Sequence, residues 1–205
     1  MRNKNVHALF LKYPEAGRVK TRLGDTIGME KAAEIYRFLA DRIIKSCVSD
    51  KYDTIYFIDS EKDTDRFRLW LGENAKIAVQ RDGDLGSRLD GAFRYVFDMG
   101  YEKCAVTGSD IFGLDSSYAD MAFDALDTSE CAIGRAEDGG YYLISFASSS
   151  YEPAVFYDII WSTSTVLDET VKKLQNNGKT YQILPELPDI DTEDDLKHLK
   201  GVYFG

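Results

Sequence analysis

Short apolar runs alternate with segments of helical periodicity along the chain, and this alternation limits the possible folds more than any other feature. The runs that indicate strands in the first half lie at residues 6–11, 54–58, 76–79 and 104–107. The amphipathic repeats that indicate helices lie at 29–48, 64–71 and 85–99. Such alternation predicts right-handed crossovers and a mainly parallel sheet with helices on both faces.

The second half continues the pattern with one change of pace. Helical segments are expected at 118–126, 165–175 and 192–199, and strands at 131–134, 141–146 and 181–184. Two of these strands follow each other directly through Asp138-Gly139-Gly140, so they can pair as a hairpin and make the sheet mixed. The predicted fold class is therefore α/β, a three-layer α/β/α sandwich around a mainly parallel mixed sheet.

Length and charge restrict both domain number and partners. A chain of 205 residues suits a single domain over 1–205. The net charge of −10 argues against nucleic acid as a partner, because proteins that coat DNA or RNA are basic. No apolar stretch approaches the roughly 20 residues of a membrane span. Cys47, Cys104 and Cys131 lie in or beside apolar segments, which predicts buried free thiols and fits a cytoplasmic protein.

A basic loop at residues 12–22 follows the first predicted strand. Its cations are Lys12, Arg18, Lys20 and Arg22. Pro14 and Gly17 form a turn with exposed backbone N–H groups, and a turn between a strand and a helix often binds phosphate. We therefore interpret the loop as a phosphate site, with a solvated basic turn and a structural ion pair of Arg22 as the alternative. It is neither a P-loop nor a dinucleotide fingerprint, since both glycine patterns are missing.

A carboxylate follows the fourth predicted strand, in Gly108-Ser109-Asp110. Ligands of parallel α/β sheets bind beyond the carboxyl ends of the strands, where the basic loop also lies. Mg²⁺ and Mn²⁺ take carboxylate oxygens and can bridge to phosphates. Asp110 is thus a candidate metal ligand, and the alternative is that it caps the next turn.

Three further segments carry candidate polar groups. Asp138 precedes two glycines in what could also be a plain hairpin turn, and Asp189 and Asp191 precede the last predicted helix, which one of them could cap. The loop from Gln80 to Arg88 follows the third strand. Arg88 would lie in the first turn of a helix, where a positive charge needs an anionic partner such as Asp84 or a phosphate.

These segments together resemble the DUF2064 family, also described as the "transferase 1" group of glycosyltransferases. The segments that carry the resemblance are 10–12 with 17–23, 80–88, Gly108-Ser109-Asp110, Asp138-Gly139-Gly140-Tyr141-Tyr142, Trp161-Ser162-Thr163-Ser164 and Asp189-Ile190-Asp191-Thr192. They stand in the family's order over about residues 6–196. The family often has Ser-Pro after the position of Asp110, where this chain has Ile111-Phe112, so contacts to the acceptor in that loop are open.

The resemblance implies a GT-A-like nucleotide-diphospho-sugar transferase fold, a nucleotide or nucleotide-sugar ligand, and Mg²⁺ or Mn²⁺. It implies phosphate contacts from the basic loop, a metal on Asp110, and a second acid at Asp138 or Asp191. The candidate phosphate and nucleotide residues are Lys12, Gly17, Arg18, Lys20, Arg22, Gln80 and Arg88. The candidate metal ligands are Asp110 and Asp191, and the candidate catalytic residues are Asp138 and Arg22.

The expected reaction is glycosyl transfer from a nucleotide-diphospho-sugar to an unknown acceptor. One alternative is nucleotidyl transfer, in which a phosphorylated acceptor attacks a nucleoside triphosphate and pyrophosphate leaves. The other alternative is a nucleotide-binding protein without catalysis.

Overall fold

Seven strands form one sheet at the centre of the computed structural model, which describes residues 3–203. The strands are β1 (Asn5–Leu11), β2 (Asp53–Ile58), β3 (Ile77–Val79), β4 (Lys103–Thr107), β5 (Cys131–Ala136), β6 (Tyr141–Ala147) and β7 (Tyr181–Leu187). Their order is β3-β2-β1-β4-β6-β5-β7. β6 runs antiparallel to β4 and β5, whereas the other neighbouring pairs are parallel. The predicted mixed, mainly parallel sheet is confirmed.

Six α-helices and three short 3₁₀ helices surround the sheet in the described part of the chain, residues 3–203. The α-helices are α1 (Thr21–Ile27), α2 (Met29–Ser46), α3 (Thr64–Leu71), α4 (Leu85–Asp98), α5 (Ser116–Ala125) and α6 (Val166–Asn176). The 3₁₀ helices are Glu61–Asp63, Pro153–Phe156 and Asp194–Leu199. Across residues 3–203, no helix combines the length and apolar character that a membrane crossing requires.

The sheet is covered on both faces, as the strand periodicity of two requires. On β1, Leu9 and Leu11 belong to a core cluster with α2, α3 and α5. Val6 and Ala8, which point to the other face, belong to a cluster with α4 and α6. A third cluster joins α1, α2 and the C-terminal segment through Leu23, Ile35 and Ile190, among others. This third cluster brings the end of the chain back to the loop that follows β1.

Two local elements differ from the sequence expectation. Helix α1 was not predicted, because its seven residues, with Leu23 and Gly24 as the buried ones, are too few to show a helical period. The predicted helix at 192–199 is a 3₁₀ helix instead, starting at Asp194. Its backbone bonds span three residues, for example from the Asp195 N–H to the Thr192 carbonyl at 3.2 Å. The three cysteines are buried and free, as expected.

Candidate functional site

A cavity of about 570 Å³ opens at the carboxyl ends of β1, β3 and β4. The loop after β1 contributes Lys12, Val19 and Lys20, and the end of β4 contributes the segment 106–111. The loop from β3 into α4 and the start of β6 supply further lining residues, and the lining residue Trp161 packs beside Gly86 at the start of α4. Because β6 is antiparallel to β4, its first residues reach the same edge of the sheet as the last residues of β4.

Lys20 lies at the centre of the polar part of this site. Its ammonium is 2.7 Å from Asp110 Oδ2 and 2.7 Å from Asp191 Oδ1, and its side chain is 2% exposed. Lys20 precedes α1 in a left-handed conformation, with φ 47° and ψ 42°. Few residues other than glycine adopt this conformation. The backbone at this point therefore directs the lysine inward, toward two acids that lie 90 and 171 positions further along the chain.

Main-chain contacts hold those two acids together. Ile111 and Asp189 form an isolated antiparallel bridge, and the Phe112 N–H donates to the Pro188 carbonyl at 3.1 Å. The loop after β4 and the loop after β7 are thereby joined like two strands. This pairing explains why Asp110 and Asp191 reach the same ammonium.

Electrostatics favour the charged forms of Lys20 and Asp110, which together with Asp191 make up the lysine–carboxylate cluster. Burial raises the pKa of Asp110, but the neighbouring charges of Lys20 and Lys12 outweigh it, so its pKa lies below the ordinary value. Burial alone would lower the pKa of Lys20, but Asp110 and Asp191 together raise it above the ordinary value. Lys20 and Asp110 are therefore an ion pair, and the same ammonium also contacts Asp191.

A second group of acids adjoins this cluster. Burial and the charges of Asp138 and Asp191 raise the pKa of Asp189 to about 6. Asp138 lies in the β5–β6 turn, where its Oδ1 accepts the Gly140 N–H at 2.8 Å. The turn residue Gly139 has φ 87°, and a Cβ there would lie 2.2 Å from the Ser164 carbonyl oxygen. The turn that carries Asp138 is thus fixed against the 161–165 segment.

Arg18 is engaged away from the lysine–carboxylate cluster. Its guanidinium contacts Glu15 Oε2 at 3.0 Å, Asp59 Oδ2 at 3.0 Å and Asp63 Oδ2 at 2.8 Å. Arg66 also contacts Asp63, at 2.9 Å. Among the residues that the structure describes, Arg18 is not one of those lining the cavity. Its predicted phosphate contact stays a prediction, but three carboxylates already occupy the guanidinium.

The other predicted residues fall into two sets. Lys12, Lys20, Gln80, Arg88 and Asp110 line the cavity together. Arg22 is exposed and reaches Asp191 Oδ2 at 3.7 Å, which makes it a neighbour of the cluster rather than a cavity wall. Gly17, at φ 81°, is exposed in the turn before Arg18 and has open space around it.

Gln80 and Arg88 are oriented by backbone groups. The Gln80 amide donates to the Phe57 carbonyl at 2.8 Å, and Arg88 Nε donates to the Gly83 carbonyl at 3.1 Å. Asp84, one of the two anionic partners considered for Arg88, instead caps α4 by accepting the Ser87 N–H at 2.8 Å. A carboxylate at the start of a helix satisfies the free backbone N–H groups there. The other alternative, a phosphate partner for Arg88, stays a prediction.

Sequence reasoning missed Tyr36, which connects two walls of the cavity. Its hydroxyl accepts the Lys12 N–H at 2.9 Å and lies 2.7 Å from Ser109 Oγ. Tyr36 is 3% exposed within α2. Its helical spacing marked Tyr36 as a core residue only. Its hydroxyl could have indicated a role at the site, because a buried Tyr O–H needs a hydrogen-bond partner.

The arrangement of carboxylates decides what kind of metal site is possible. Within residues 3–203, no group of three His, Cys, Asp or Glu side chains is placed to enclose a metal ion. Mg²⁺ is commonly bound through one or two carboxylates together with water and phosphate oxygens. Asp110 and Asp191 form such a pair, because an oxygen of each lies 2.7 Å from the same Lys20 ammonium. The residues fit a cation that is shared with a phosphate ligand.

Distant solved structures share this fold. CMP:2-keto-3-deoxy-manno-octonic acid synthetase, solved with CTP, is 12% identical at a TM-score of 0.55, covering 96% of this chain and 97% of that chain. Rv0371C from Mycobacterium tuberculosis H37Rv, solved with manganese, is 16% identical at a TM-score of 0.55, covering 97% and 98%. At these identities the likeness concerns the fold alone. No curated protein sequence gives a significant match.

A nearer relative and a family profile define the membership of the chain. A structure from Desulfovibrio desulfuricans G20, provisionally described as a nucleotide-diphospho-sugar transferase, is 34% identical at a TM-score of 0.91. The match covers 98% of this chain and 90% of that chain. The profile of DUF2064, described as an uncharacterized protein conserved in bacteria, matches residues 44–163, more than half of the chain. This protein belongs to the DUF2064 family and has the nucleotide-diphospho-sugar transferase type of fold.

Proposed function

We propose that this protein is an enzyme that transfers a glycosyl group from a nucleotide-diphospho-sugar, with its diphosphate in the cavity beside Lys12, Lys20 and Arg88. The observation that carries the proposal is the convergence of Lys20, Asp110 and Asp191 at the carboxyl edge of the sheet. A strongly acidic protein can bind a polyanion only where local cations or a bound metal offset the charge.

The chain's own groups have separable tasks in this reaction. Lys12 is exposed and lines the cavity, so its ammonium is available to a phosphate oxygen. Asp110 and Asp191 would hold Mg²⁺ or Mn²⁺. When bound, the cation offsets the negative charge that develops on the departing nucleoside diphosphate. Arg22, exposed beside Asp191, adds a cation at the rim of the site.

Acceptor activation is assigned to Asp138. A hydroxyl acceptor must lose a proton as it attacks the anomeric carbon, and a carboxylate can take that proton. Asp138 is exposed, lies in a turn fixed by Gly139, and influences Asp189 electrostatically, so it adjoins the carboxylate cluster. Asp138→Asn is expected to lower turnover while nucleotide affinity is retained.

The direct test is ligand-induced stabilisation, because a ligand of the folded state raises the unfolding temperature. A panel of nucleotides and nucleotide-sugars is screened by thermal unfolding with and without Mn²⁺. We expect a nucleotide-sugar to stabilise the wild type only with Mn²⁺, and Asp110→Asn to lose that effect. Asp25→Asn, which removes an exposed carboxylate from α1, is the matched control. A panel without any stabilising ligand contradicts the proposal.

Nucleotidyl transfer is the second candidate, and the shared fold of a synthetase solved with CTP favours considering it. The two reactions differ in what they release. Glycosyl transfer releases a nucleoside diphosphate, whereas nucleotidyl transfer from a triphosphate releases pyrophosphate. Product analysis after incubation with nucleotide-sugars and, separately, with triphosphates and phosphorylated acceptors distinguishes them, and a ligand that binds without turnover indicates a binding protein.

The cellular compartment forms a separate part of the proposal. Cys47, Cys104 and Cys131 are buried free thiols, a state that a reducing cytoplasm preserves. We therefore place the reaction in the cytoplasm. Reporter fusions at either end of the chain test this, and export of the fusion would contradict it.

A further inference from the structure

We propose that Lys20 competes with the divalent cation for Asp110 and Asp191, and that the phosphate ligand accepts the displaced ammonium, so that metal and phosphate bind as a coupled pair. This inference rests on the proposed function of the site and deepens it. It assigns Lys20 a regulatory part in metal binding rather than that of a simple phosphate contact.

The Lys20 ammonium already occupies the space between the two carboxylates. Lys20 Nζ lies 2.7 Å from one oxygen of each carboxylate, which is full hydrogen-bonding contact with both. The side chain is enclosed, with 2% exposure, and its backbone conformation at φ 47° directs it inward. A cation that bridges the same two carboxylates must occupy nearly the place where the ammonium already lies.

The overlap between the positions of the ammonium and the metal ion has an energetic cost. Lys20 has an ammonium group with three N–H donors and no acceptor, and both of its partners at 2.7 Å are carboxylate oxygens. A divalent cation bound to these two carboxylates would be strongly repelled by an ammonium in the same enclosed place, since screening by water is weak inside the protein. The lysine must therefore leave before both carboxylates can ligate a metal, and the loss of its two ion pairs reduces the net affinity for the metal.

The cavity also provides a place for the displaced ammonium. Lys20 itself lines the cavity, as do Lys12 on the same loop and Arg88. A phosphate in that cavity offers the displaced ammonium charge-assisted hydrogen bonds in place of those that it gave up. Phosphate binding then favours metal binding, and by thermodynamic reciprocity metal binding favours phosphate binding to the same degree. The site therefore selects a phosphate ligand that binds together with a divalent cation.

Titration with MnCl₂ alone, with free Mn²⁺ followed by electron paramagnetic resonance, tests the competition. We compare wild type with Lys20→Met and Lys12→Met. Both variants lose one positive charge from the same cavity, but Lys12 makes no ion pair with either acid among the described residues. Lys20→Met is expected to bind Mn²⁺ about tenfold more tightly or better, the scale of coupling between ligands that share a site. Lys12→Met is expected to show a much smaller change.

Chemical labelling of the wild type provides a measurement that does not depend on the stability of a variant. Acetic anhydride modifies unprotonated, accessible amines, so Lys20 should be protected and Lys12 reactive. Saturating MgCl₂ alone should expose Lys20 to labelling, as read by peptide mass spectrometry, and leave Lys12 no more reactive. Inorganic phosphate added with the MgCl₂ should restore the protection of Lys20, because the phosphate takes up the displaced ammonium.

The outcomes separate this inference from the proposed function. Equal Mn²⁺ affinity in wild type and Lys20→Met, or unchanged protection of Lys20 in saturating MgCl₂ alone, overturns the competition but leaves a metal-dependent transferase in place. If neither wild type nor Lys20→Met binds Mn²⁺, both the competition and the metal role of Asp110 and Asp191 are wrong.

Discussion

Replacing Arg18 by Met should destabilise the fold and leave nucleotide affinity unchanged. The guanidinium joins Glu15, Asp59 and Asp63 at 2.8–3.0 Å, and these acids come from the loop after β1 and the segment after β2. Methionine retains much of the apolar stem and removes the charge. The substitution therefore separates a structural role for Arg18 from the phosphate role that its position in a basic loop predicts.

The expected loss of stability depends on which contacts each acid keeps after the substitution. Asp59, whose side chain is 14% exposed, has Arg18 as its ion-pair partner within residues 3–203, and its Oδ1 has no hydrogen bond there. Losing this charge-assisted bond costs roughly 1.5–3 kcal/mol. Asp63 still has Arg66 at 2.9 Å, so its loss is about 1 kcal/mol, discounted for screening. Together we expect about 2.5–4 kcal/mol, or roughly 5–16 °C in unfolding temperature for a chain of this size.

Urea unfolding and nucleotide titration of the same preparations provide the two measurements. Arg22→Met is the control, since Arg22 is exposed and its contact with Asp191 is long, at 3.7 Å. We expect this control to unfold like the wild type. If Arg18→Met unfolds like the wild type and loses nucleotide affinity, the structural assignment is refuted and the phosphate role is established.

The pH dependence gives a second check on Arg18. Arg18 and Arg66 lower the pKa of Asp63 and of Glu15 below their ordinary values of 3.8 and 4.5. Acids with a lowered pKa stabilise the fold above their ordinary pKa, and this contribution is lost as the pH falls through the lowered value. The stability difference between wild type and Arg18→Met should therefore be full at pH 7 and shrink below about pH 4.

Four further substitutions, one of them a control, test other parts of the structure. Tyr36→Phe removes the hydroxyl that joins two cavity walls and should cost about 1–2 kcal/mol in urea unfolding and lower turnover. Gly139→Ala should cost roughly 2 kcal/mol or more, because φ is 87° and the new Cβ would meet a carbonyl at 2.2 Å, whereas Gly178→Ala, with φ 67° and open space, should cost about 1 kcal/mol. Burial lowers the pKa of His7 to about 4, so its neutral form contributes stability that is lost as the pH falls below about 6.5, up to about 3 kcal/mol by pH 4. His7→Gln should flatten this part of the stability curve, and an unchanged slope would contradict it.

The sheet could be predicted from the sequence because each strand carries its own signal. Buried runs such as 104–107 and 131–134 are apolar regardless of their neighbours, and the Asp138-Gly139-Gly140 turn marks the hairpin between β5 and β6. The order of strands and the extra helix α1 do not have a local signal of this kind. They depend on packing between distant segments, as in the cluster that joins Leu23 to Ile190.

The candidate site could be predicted as a set of residues but not as a set of contacts. Residue types and positions after strands predicted a site with Lys12, Lys20 and Asp110, and the structure brings these to one cavity. Nothing in the sequence distinguishes the partners of Arg18 from those of Lys20, which lies two positions away. The difference arises from the backbone: the turn after Gly17 directs one side chain toward β2 and the other toward the loops after β4 and β7.

The different pairing of each cation in the basic loop bears on how a protein of net charge −10 would bind phosphate at the proposed site. Arg18 is neutralised by three acids and secures the loop to the fold. Lys20 is neutralised by two acids and becomes available only when another cation replaces it. Lys12 is the loop's cation that lines the cavity without such pairing among the described residues. A phosphate alone therefore meets one unpaired cation of this loop, whereas a phosphate that arrives with a divalent ion gains the metal and the released ammonium together, and counting the loop's charges would have overestimated its attraction for phosphate alone.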